Sequence, residues 1–226
     1  MKIAKLAVWT VVALMLAMRV GAKEEKSFRE TFDVDKANLG PTGDNKYFPL
    51  KPGRALRYKD EDGTLLITVL DDTQVIDGVT TRVVEEREEK NGKLIEVSRN
   101  FFAADKTDGA VYYFGEDVDI YKDGKVVNHE SAWRSGENGA KFGLFVPANP
   151  KVGDRFYQEQ APKVAMDRAE VVSIDETVNV QAGRFQHCVR MKETSPLEKG
   201  SSVKVYAPNV GLVQDDEMEL VKIEPK

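Results

Sequence analysis

The fold is decided by the sequence VTTRVVEEREEK-NG-KLIEVSRNFFA, which runs from residue 79 to residue 103. Asn91 and Gly92 lie at its centre, and both residue types tolerate the positive φ angles of a type I′ turn. The flanking runs, 79–90 and 93–103, are rich in β-branched and aromatic residues and lack helical spacing. We therefore predict a hairpin of two long antiparallel strands.

Similar turn signals recur on both sides of this hairpin. Asp-Gly pairs stand at 77–78, 108–109 and 123–124, each between runs typical of strands. Outside residues 1–22, no window of about 12 residues has a clean helical period. The sequence therefore predicts an all-β fold, built either as an antiparallel curved sheet or half-barrel or as a sandwich.

The stretch 134–154 differs from its surroundings because glycine and proline punctuate short apolar runs. Its turn-forming residues are Gly136, Gly139, Gly143, Pro147, Pro150 and Gly153. We predict one long Gly/Pro-rich loop here, folded inward over the apolar face of the sheet.

The first 22 residues have the order of a secretory signal peptide. Lys2 and Lys5 precede an apolar run over 6–18, and the segment ends on Gly21-Ala22. The apolar run is shorter than the ~20 residues of a membrane-spanning helix. We predict cleavage after Ala22, a polar arm over 23–46 and a single β domain over 47–226, in a secreted or periplasmic protein without a membrane span.

Charge and cysteine content narrow the function classes. The chain carries a net charge of −5, and removal of the three basic residues of 1–22 makes it −8. Such a surface disfavours nucleic acid as a partner. Cys188 is the only cysteine, so no intrachain disulfide forms. On a strand, His187 and Cys188 point to opposite faces, which excludes a side-by-side thiol and imidazole.

Several segments resemble a family of secreted bacterial β-rich proteins to which no activity is assigned. The matching segments are YFPLKPG at 47–53, YYFGE at 112–116, GENGA at 136–140 with the prolines and the Gly-Asp that follow it, and YAPNVGLV at 206–213. This resemblance implies one exported β-rich domain and nothing about chemistry.

Carboxylates are the remaining polar candidates for a site. Asp105, Asp108 and Glu116 lie in one hairpin region and are candidate ligands for calcium, which prefers oxygen donors; no other cofactor is predicted. Alternatively, Glu116 could act with Glu159 and Asp167 beside aromatic residues, as in a glycoside hydrolase or a sugar-binding groove. No zinc spacing, serine elbow or phosphate-binding loop is present.

Apolar residues suggest a different site. A curved sheet capped by the loop 134–154 could enclose a hydrophobic ligand, or the same side chains could simply fill the core. The candidate ligand-binding residues are Tyr113, Trp133, Phe142, Leu144 and Phe145.

Because no nucleophile–base pair is recognisable, we predict a non-enzymatic binding or carrier module of the cell envelope for a small apolar molecule. The alternatives are the carboxylate-dependent hydrolase or sugar-binding protein, and a structural protein that contacts another envelope protein.

Overall fold

A computed structural model describes residues 27–224 of the chain, so the predicted signal peptide lies outside the described residues. The described chain forms one antiparallel sheet that curves into a nearly closed barrel. The strands are β1 (Leu39–Gly40), β2 (Ala55–Lys59), β3 (Gly63–Ile76), β4 (Val79–Lys90), β5 (Lys93–Asp105), β6 (Val111–Lys122), β7 (Lys125–Asn128), β8 (Trp133–Arg134), β9 (Lys141–Val146), β10 (Arg155–Tyr157), β11 (Glu159–Gln160), β12 (Arg168–Val180), β13 (Gly183–Thr194), β14 (Ser202–Ala207), β15 (Gly211–Asp215) and β16 (Met218–Glu224). The all-β prediction is confirmed.

The hairpin at the centre of the sequence argument is also the centre of the sheet. Lys90 pairs with Lys93 across the turn, and Asn91 and Gly92 have φ angles of 51° and 71°. Strands β2 to β6 follow one another in space as they do in sequence. This order needs only short hairpin connections, which is why the local turn signals are sufficient to predict it.

One short segment closes the barrel. Residues 155–157 pair with β12 at one edge of the sheet, and residues 159–160 pair with β9 at the other. A Cβ atom on Gly143 of β9 would stand 2.5 Å from the backbone of Gln158, so only glycine allows this approach. Arg29 of the N-terminal arm bridges to Phe156 in parallel and adds backbone hydrogen bonds at the same seam.

The antiparallel strands give the barrel two unlike ends. At one end, residues 41–53 fold across the opening; we call this segment the plug. At the other end, which we call the mouth, lie the connections at residues 60–62, 91–92, 161–167 and 195–201. Strand direction therefore assigns the first half of β3, β5 and β12 to the mouth and the second half to the plug end.

Two local expectations need correction. The stretch 134–154 is not a loop throughout, because Lys141–Val146 forms β9 and pairs with β6 and β11. It is therefore part of the barrel wall and does not cover a finished sheet. Along β13, strict alternation breaks at His187, which has a φ of 57° and is exposed, whereas Cys188 and Val189 are both buried.

Candidate functional site

The plug end of the barrel is filled with aromatic rings. Phe102 lies 5.0 Å from Phe48 of the plug, 4.7 Å from Phe145 and 4.8 Å from Tyr113, measured between ring centroids. Phe102 is only 2% exposed. Of the predicted ligand-binding residues, Phe145 contacts Phe48 of the plug, and Tyr113 contacts Phe145.

Asn45 fastens the plug to the barrel. Its amide nitrogen donates to the carbonyl oxygens of Gly109 and Pro147 at 2.8 and 3.2 Å. Its side-chain oxygen accepts from the backbone nitrogens of Tyr47 and Phe48 at 2.9 and 3.0 Å. The first two bonds tie the plug to the barrel, and the other two fix the turn within the plug.

The other predicted apolar residues fall into two places. Phe142 stacks on Phe114 at 4.7 Å and meets Tyr112 at 5.9 Å, while Leu144 is buried in the core. Trp133 lies edge-on to Tyr113 at 5.3 Å. One apolar cavity of about 30 Å³ beside the plug is lined by Phe48, Leu56 and Tyr58, among others, and by none of the five predicted residues. This is close to the volume of a single water molecule.

Carboxyl groups gather at the mouth instead. On one side of the barrel, β4 contributes Glu86 and Glu88, and the neighbouring β5 contributes Glu96. Glu88 lies directly opposite Glu96 in the strand pairing. Glu116 of β6 follows, opposite Asn100. Facing groups come from the other side of the barrel. We call the whole set the acidic chamber: Glu86, Glu88, Glu96, Glu116, Glu159, Asp167, Glu193, Lys204 and Asp215.

Electrostatic coupling joins the two sides of the chamber. Glu116 is close enough to Glu86, Glu96 and Asp167 for their charges to raise its pKa. Glu159 is coupled in the same way to Asp167, Glu116 and Glu193. The carboxyl groups predicted as a hydrolase set, Glu116, Glu159 and Asp167, are therefore brought together, with Tyr113 and Trp133 beside Glu116.

Lys204 is the one cation of the chamber. Its Nζ lies 3.0 Å from Glu193 Oε2 and 3.8 Å from Asp215 Oδ2. Glu193 Oε1 accepts a further hydrogen bond from Gln158 Nε2 at 2.9 Å. Burial lowers the pKa of Lys204, but the two carboxylates outweigh this effect and raise the pKa well above its usual value. Lys204 and Glu193 therefore form a fixed, charged pair.

The remaining carboxyl groups hold protons more tightly than usual. Burial, reinforced by nearby carboxylates, raises the pKa of Glu86 to about 7 and that of Glu116 to about 8. Burial also raises the pKa of Glu159, with Asp167 and Glu116 adding to the effect. Near neutral pH the chamber is therefore poised between protonated and charged states.

Two buried polar atoms in this region have no hydrogen-bond partner among the described residues: Glu159 Oε2 and Trp133 Nε1. Glu159 is 5% exposed and Trp133 is 6% exposed. Gly115 permits the approach of the Trp133 backbone, because a Cβ at Gly115 would collide with the Trp133 carbonyl oxygen. Such orphaned atoms are rare in folded proteins and point to an absent partner.

The chamber is open to solvent through the mouth. A cleft of about 790 Å³ is lined by Leu65, Glu88 and Asp215, among others. A second cleft of about 200 Å³ is lined by Asp167, Glu193 and the loop around Ser195. Both volumes far exceed the apolar space at the plug end.

The predicted calcium ligands are not brought together. Asp105 and Asp108 lie in the β5–β6 turn at the plug end, where their side chains accept from the backbone nitrogens of Thr107 and Ala110, each at 2.7 Å. Glu116 lies in the acidic chamber. Among residues 27–224, no group of three or more His, Cys, Asp or Glu side chains has the arrangement of a metal site.

Sequence reasoning missed six members of the chamber: Glu86, Glu88, Glu96, Glu193, Lys204 and Asp215. In the run EEREEK, Glu86 and Glu88 share the face of Val84, so alternation already assigns them to one side of β4. The pairing of Lys204 with Glu193 joins strands that the sequence alone does not align. An acidic run of this kind is more typical of a solvated surface.

Two solved structures show a distant likeness to this chain. One is designated a lipoprotein from Parabacteroides distasonis, with 14% identity and a TM-score of 0.39. The other is designated an exported protein with a YmcC-like fold from Bacteroides fragilis, with 20% identity and a TM-score of 0.37. In each case 80% of this chain and all of the other chain are covered. These likenesses are too weak to support an argument about function.

No family model and no curated protein matches the sequence. Within the described part of the chain, no helix has the length and hydrophobicity needed to cross a membrane.

Proposed function

We propose that the protein is exported and serves as a binding module, with the acidic chamber as its ligand site. The observation that carries this proposal is the unpartnered Glu159 Oε2, enclosed in a barrel that is plugged at one end and open at the other. Ligand pockets combine a concave space with a few convergent polar groups, and the clefts at the mouth are lined by Glu88 and Asp215 and by Asp167 and Glu193.

Export is supported by residues 1–22, in which Lys2 and Lys5, the apolar run and Gly21-Ala22 follow the order of a signal peptide. Amino-terminal sequencing of the protein recovered outside the cytoplasm should begin at Lys23. Recovery of the uncleaved chain in the membrane fraction would contradict this part of the proposal.

The predicted apolar ligand finds less support than a polar one. The rings of Phe102, Tyr113 and Phe145 already contact one another, and about 30 Å³ remains beside the plug. A lipid chain would have to displace these rings. The open clefts are lined by carboxyl and hydroxyl groups together with Arg190 and Lys199, and this polar lining favours a polar ligand.

Ligand binding can be followed through Trp133. The chain has two tryptophans, Trp9 and Trp133, and cleavage after Ala22 leaves Trp133 alone. Trp133 pairs with Glu116 across β6 and β8. A ligand in the chamber should therefore change tryptophan emission and raise the melting temperature together.

The matched variants are Glu159→Gln in the chamber and Asp44→Asn at the plug end, where Asp44 is 82% exposed. Native mass spectrometry of the exported protein should detect a bound small molecule whose occupancy falls in Glu159→Gln and not in Asp44→Asn. Equal occupancy in both variants, or ligand retained only through the plug residues, would contradict chamber binding.

A carboxylate-dependent hydrolase is the second candidate, favoured by the coupling of Glu116, Glu159 and Asp167. A general acid needs a raised pKa, which Glu116 has. Incubation with a panel of oligosaccharides should then release reducing ends, and Glu116→Gln should abolish the release. Binding without any release would leave the binding module as the better account.

A further inference from the structure

We propose that the chamber takes an extended organic cation with two or more ammonium groups, an inference that rests on the chamber being the ligand site. The first argument is charge. Within residues 27–224, six carboxyl groups of the chamber form no direct ion pair with Lys or Arg: Glu86, Glu88, Glu96, Glu116, Glu159 and Asp167. Lys204 acts on Glu86 and Asp167, and Lys90 acts on Glu88, only through longer-range attraction. Lys204 is already held by Glu193 and Asp215.

The second argument is the unpartnered oxygen of Glu159. Oε2 is buried, has no hydrogen-bond partner among the described residues and is surrounded by the acidic side chains of Glu116, Asp167 and Glu193, while the Asp167 backbone hydrogen-bonds to the carboxyl group and partly offsets their effect. A hydroxyl ligand could satisfy this atom but would leave the mutual repulsion of these carboxyl groups in place. An ammonium group satisfies the oxygen and also neutralises the repulsion.

The third argument is the spread of the charges. Glu86 and Glu88 are two residues apart on β4, a spacing of roughly 7 Å along a strand. Glu159 lies on β11, two strands beyond β6, and Asp167 lies directly before β12, across the seam that closes the barrel. A divalent metal requires several oxygens converging on one point, and the described residues contain no such group. A flexible cation with separated charges matches carboxyl groups that are distributed in this way.

Aromatic faces complete the site. The Tyr113 ring is buried beside Glu116, and Trp133 lies edge-on to it at 5.3 Å. Tyrosine and tryptophan rings attract ammonium and alkylammonium groups through their π electrons. The Tyr113 ring is already stacked on Phe102, so the methylene segments of a linear polyamine would pack on the Trp133 side of this pair, while its charged groups meet the carboxylates.

Calorimetric titration with spermidine is the primary test, because this probe stays positively charged below about pH 9. Wild-type protein should bind it about tenfold more tightly at pH 8.5 than at pH 6 and should release protons on binding. The groups responsible are Glu86 and Glu116. Glu86 is influenced by Glu88 on its own strand, by Glu96 on the neighbouring β5, and by Lys204 and Asp215 on β14 and β15. Glu116 faces Glu86, Glu96, Asp167 and Tyr113.

Three variants give opposite expectations. Glu159→Gln should weaken spermidine binding about tenfold, because one carboxylate is lost. Lys204→Gln should tighten it about threefold, because a competing cation is removed. Asp44→Asn, at the plug end, should change the affinity less than twofold. Melting temperatures measured in parallel confirm that each variant is folded.

The outcomes separate this inference from the proposed function. Equal spermidine affinity in all variants, or complete competition by magnesium ions, would mean that binding depends on net charge alone and would overturn the inference. If maltotriose binds and changes Trp133 emission more at pH 6 than at pH 8.5, the proposal of a cationic ligand is overturned, whereas the proposal that the chamber is the ligand site stands. If neither probe changes Trp133 emission and Glu159→Gln only stabilises the fold, both proposals fail.

Discussion

The plug end and the mouth are built on the same strands, but their side chains affect the stability of the fold in opposite directions. At the plug end, β5 and β6 contribute Phe102 and Tyr113, whose rings contact one another and Phe145. Toward the mouth, the same two strands contribute Glu96 and Glu116, whose carboxyl groups repel their neighbours. Ring packing at the plug end stabilises the fold, whereas repulsion between carboxyl groups at the mouth destabilises it. A single sheet can therefore carry a packed apolar core at one end and mutually repelling carboxyl groups at the other.

The largest effect is expected at the plug end. Phe102→Ala removes a buried ring that touches Phe48, Tyr113 and Phe145, and should lower the free energy of unfolding by about 3–5 kcal/mol. Urea denaturation at pH 7 measures this loss, with Phe102→Leu as a milder control. A loss below 1 kcal/mol would show that the rings are not the core of this end.

The seam between β9 and the segment 155–160 joins the two edges of the sheet and closes the barrel. Gly143→Ala places a methyl group 2.5 Å from the Gln158 backbone and should cost about 2–3 kcal/mol. Because Glu159 follows Gln158, the same change should shift the fluorescence emission of Trp133 and lower the affinity of the chamber for its ligand. Unchanged stability would mean that the barrel is not closed at this seam.

The mouth should respond in the opposite direction. Glu116→Gln removes a carboxyl group whose pKa is raised to about 8. A group with a raised folded-state pKa stabilises the fold below its unfolded value, near 4.5, and that contribution is lost as the pH rises through 8. The variant should therefore match wild type at pH 5 and be more stable by about 2 kcal/mol at pH 9, after allowance for solvent in the chamber.

Thermal denaturation across this pH range measures the difference. Because amide and carboxyl groups have nearly the same shape, packing against Tyr113 is retained. A variant that is less stable than wild type at pH 9 would contradict the assignment of Glu116 to a strained chamber.

The smallest effect is expected at the outer surface of the plug. Lys51 pairs with Asp44 at 3.1 Å, and the two side chains are 63% and 82% exposed. Such ion pairs contribute about 0–1 kcal/mol. Lys51→Ala should change the urea midpoint by less than the error of the Phe102→Ala measurement. A larger loss would show that the plug is held by its surface as well as by Asn45 and its rings.

The strand order from β2 to β6 could be predicted from the sequence because each connection is a short turn with a local signal. The closure of the barrel could not, since residues 155–160 divide between two edges over distances that no local pattern encodes. The same limit applies to the site. Residue type alone suggests the grouping of Glu116, Glu159 and Asp167 as one alternative. The position of Lys204 beside Glu193 depends on the pairing of β13 with β14, which the sequence does not indicate.

The stretch 134–154 shows why a composition argument misleads. Glycines predicted a loop, but Gly143 is needed for close approach of two backbones within the wall. At His187, a positive φ angle shifts the alternation of β13 and buries Cys188 next to Val189. Irregularities of this kind depend on the twist of the closed sheet, which only the assembled barrel imposes.

Titration of the glutamate side-chain carboxyls by carbon-detected nuclear magnetic resonance tests the central claim most directly. In the free protein, Glu86 should titrate with a midpoint near pH 7 and Glu116 near pH 8, far above the value of 4.5 for an unperturbed glutamate. Both midpoints should fall when spermidine is present. Midpoints close to 4.5 in the free protein would mean that these groups are solvated like surface carboxylates, and the account of the acidic chamber would be wrong.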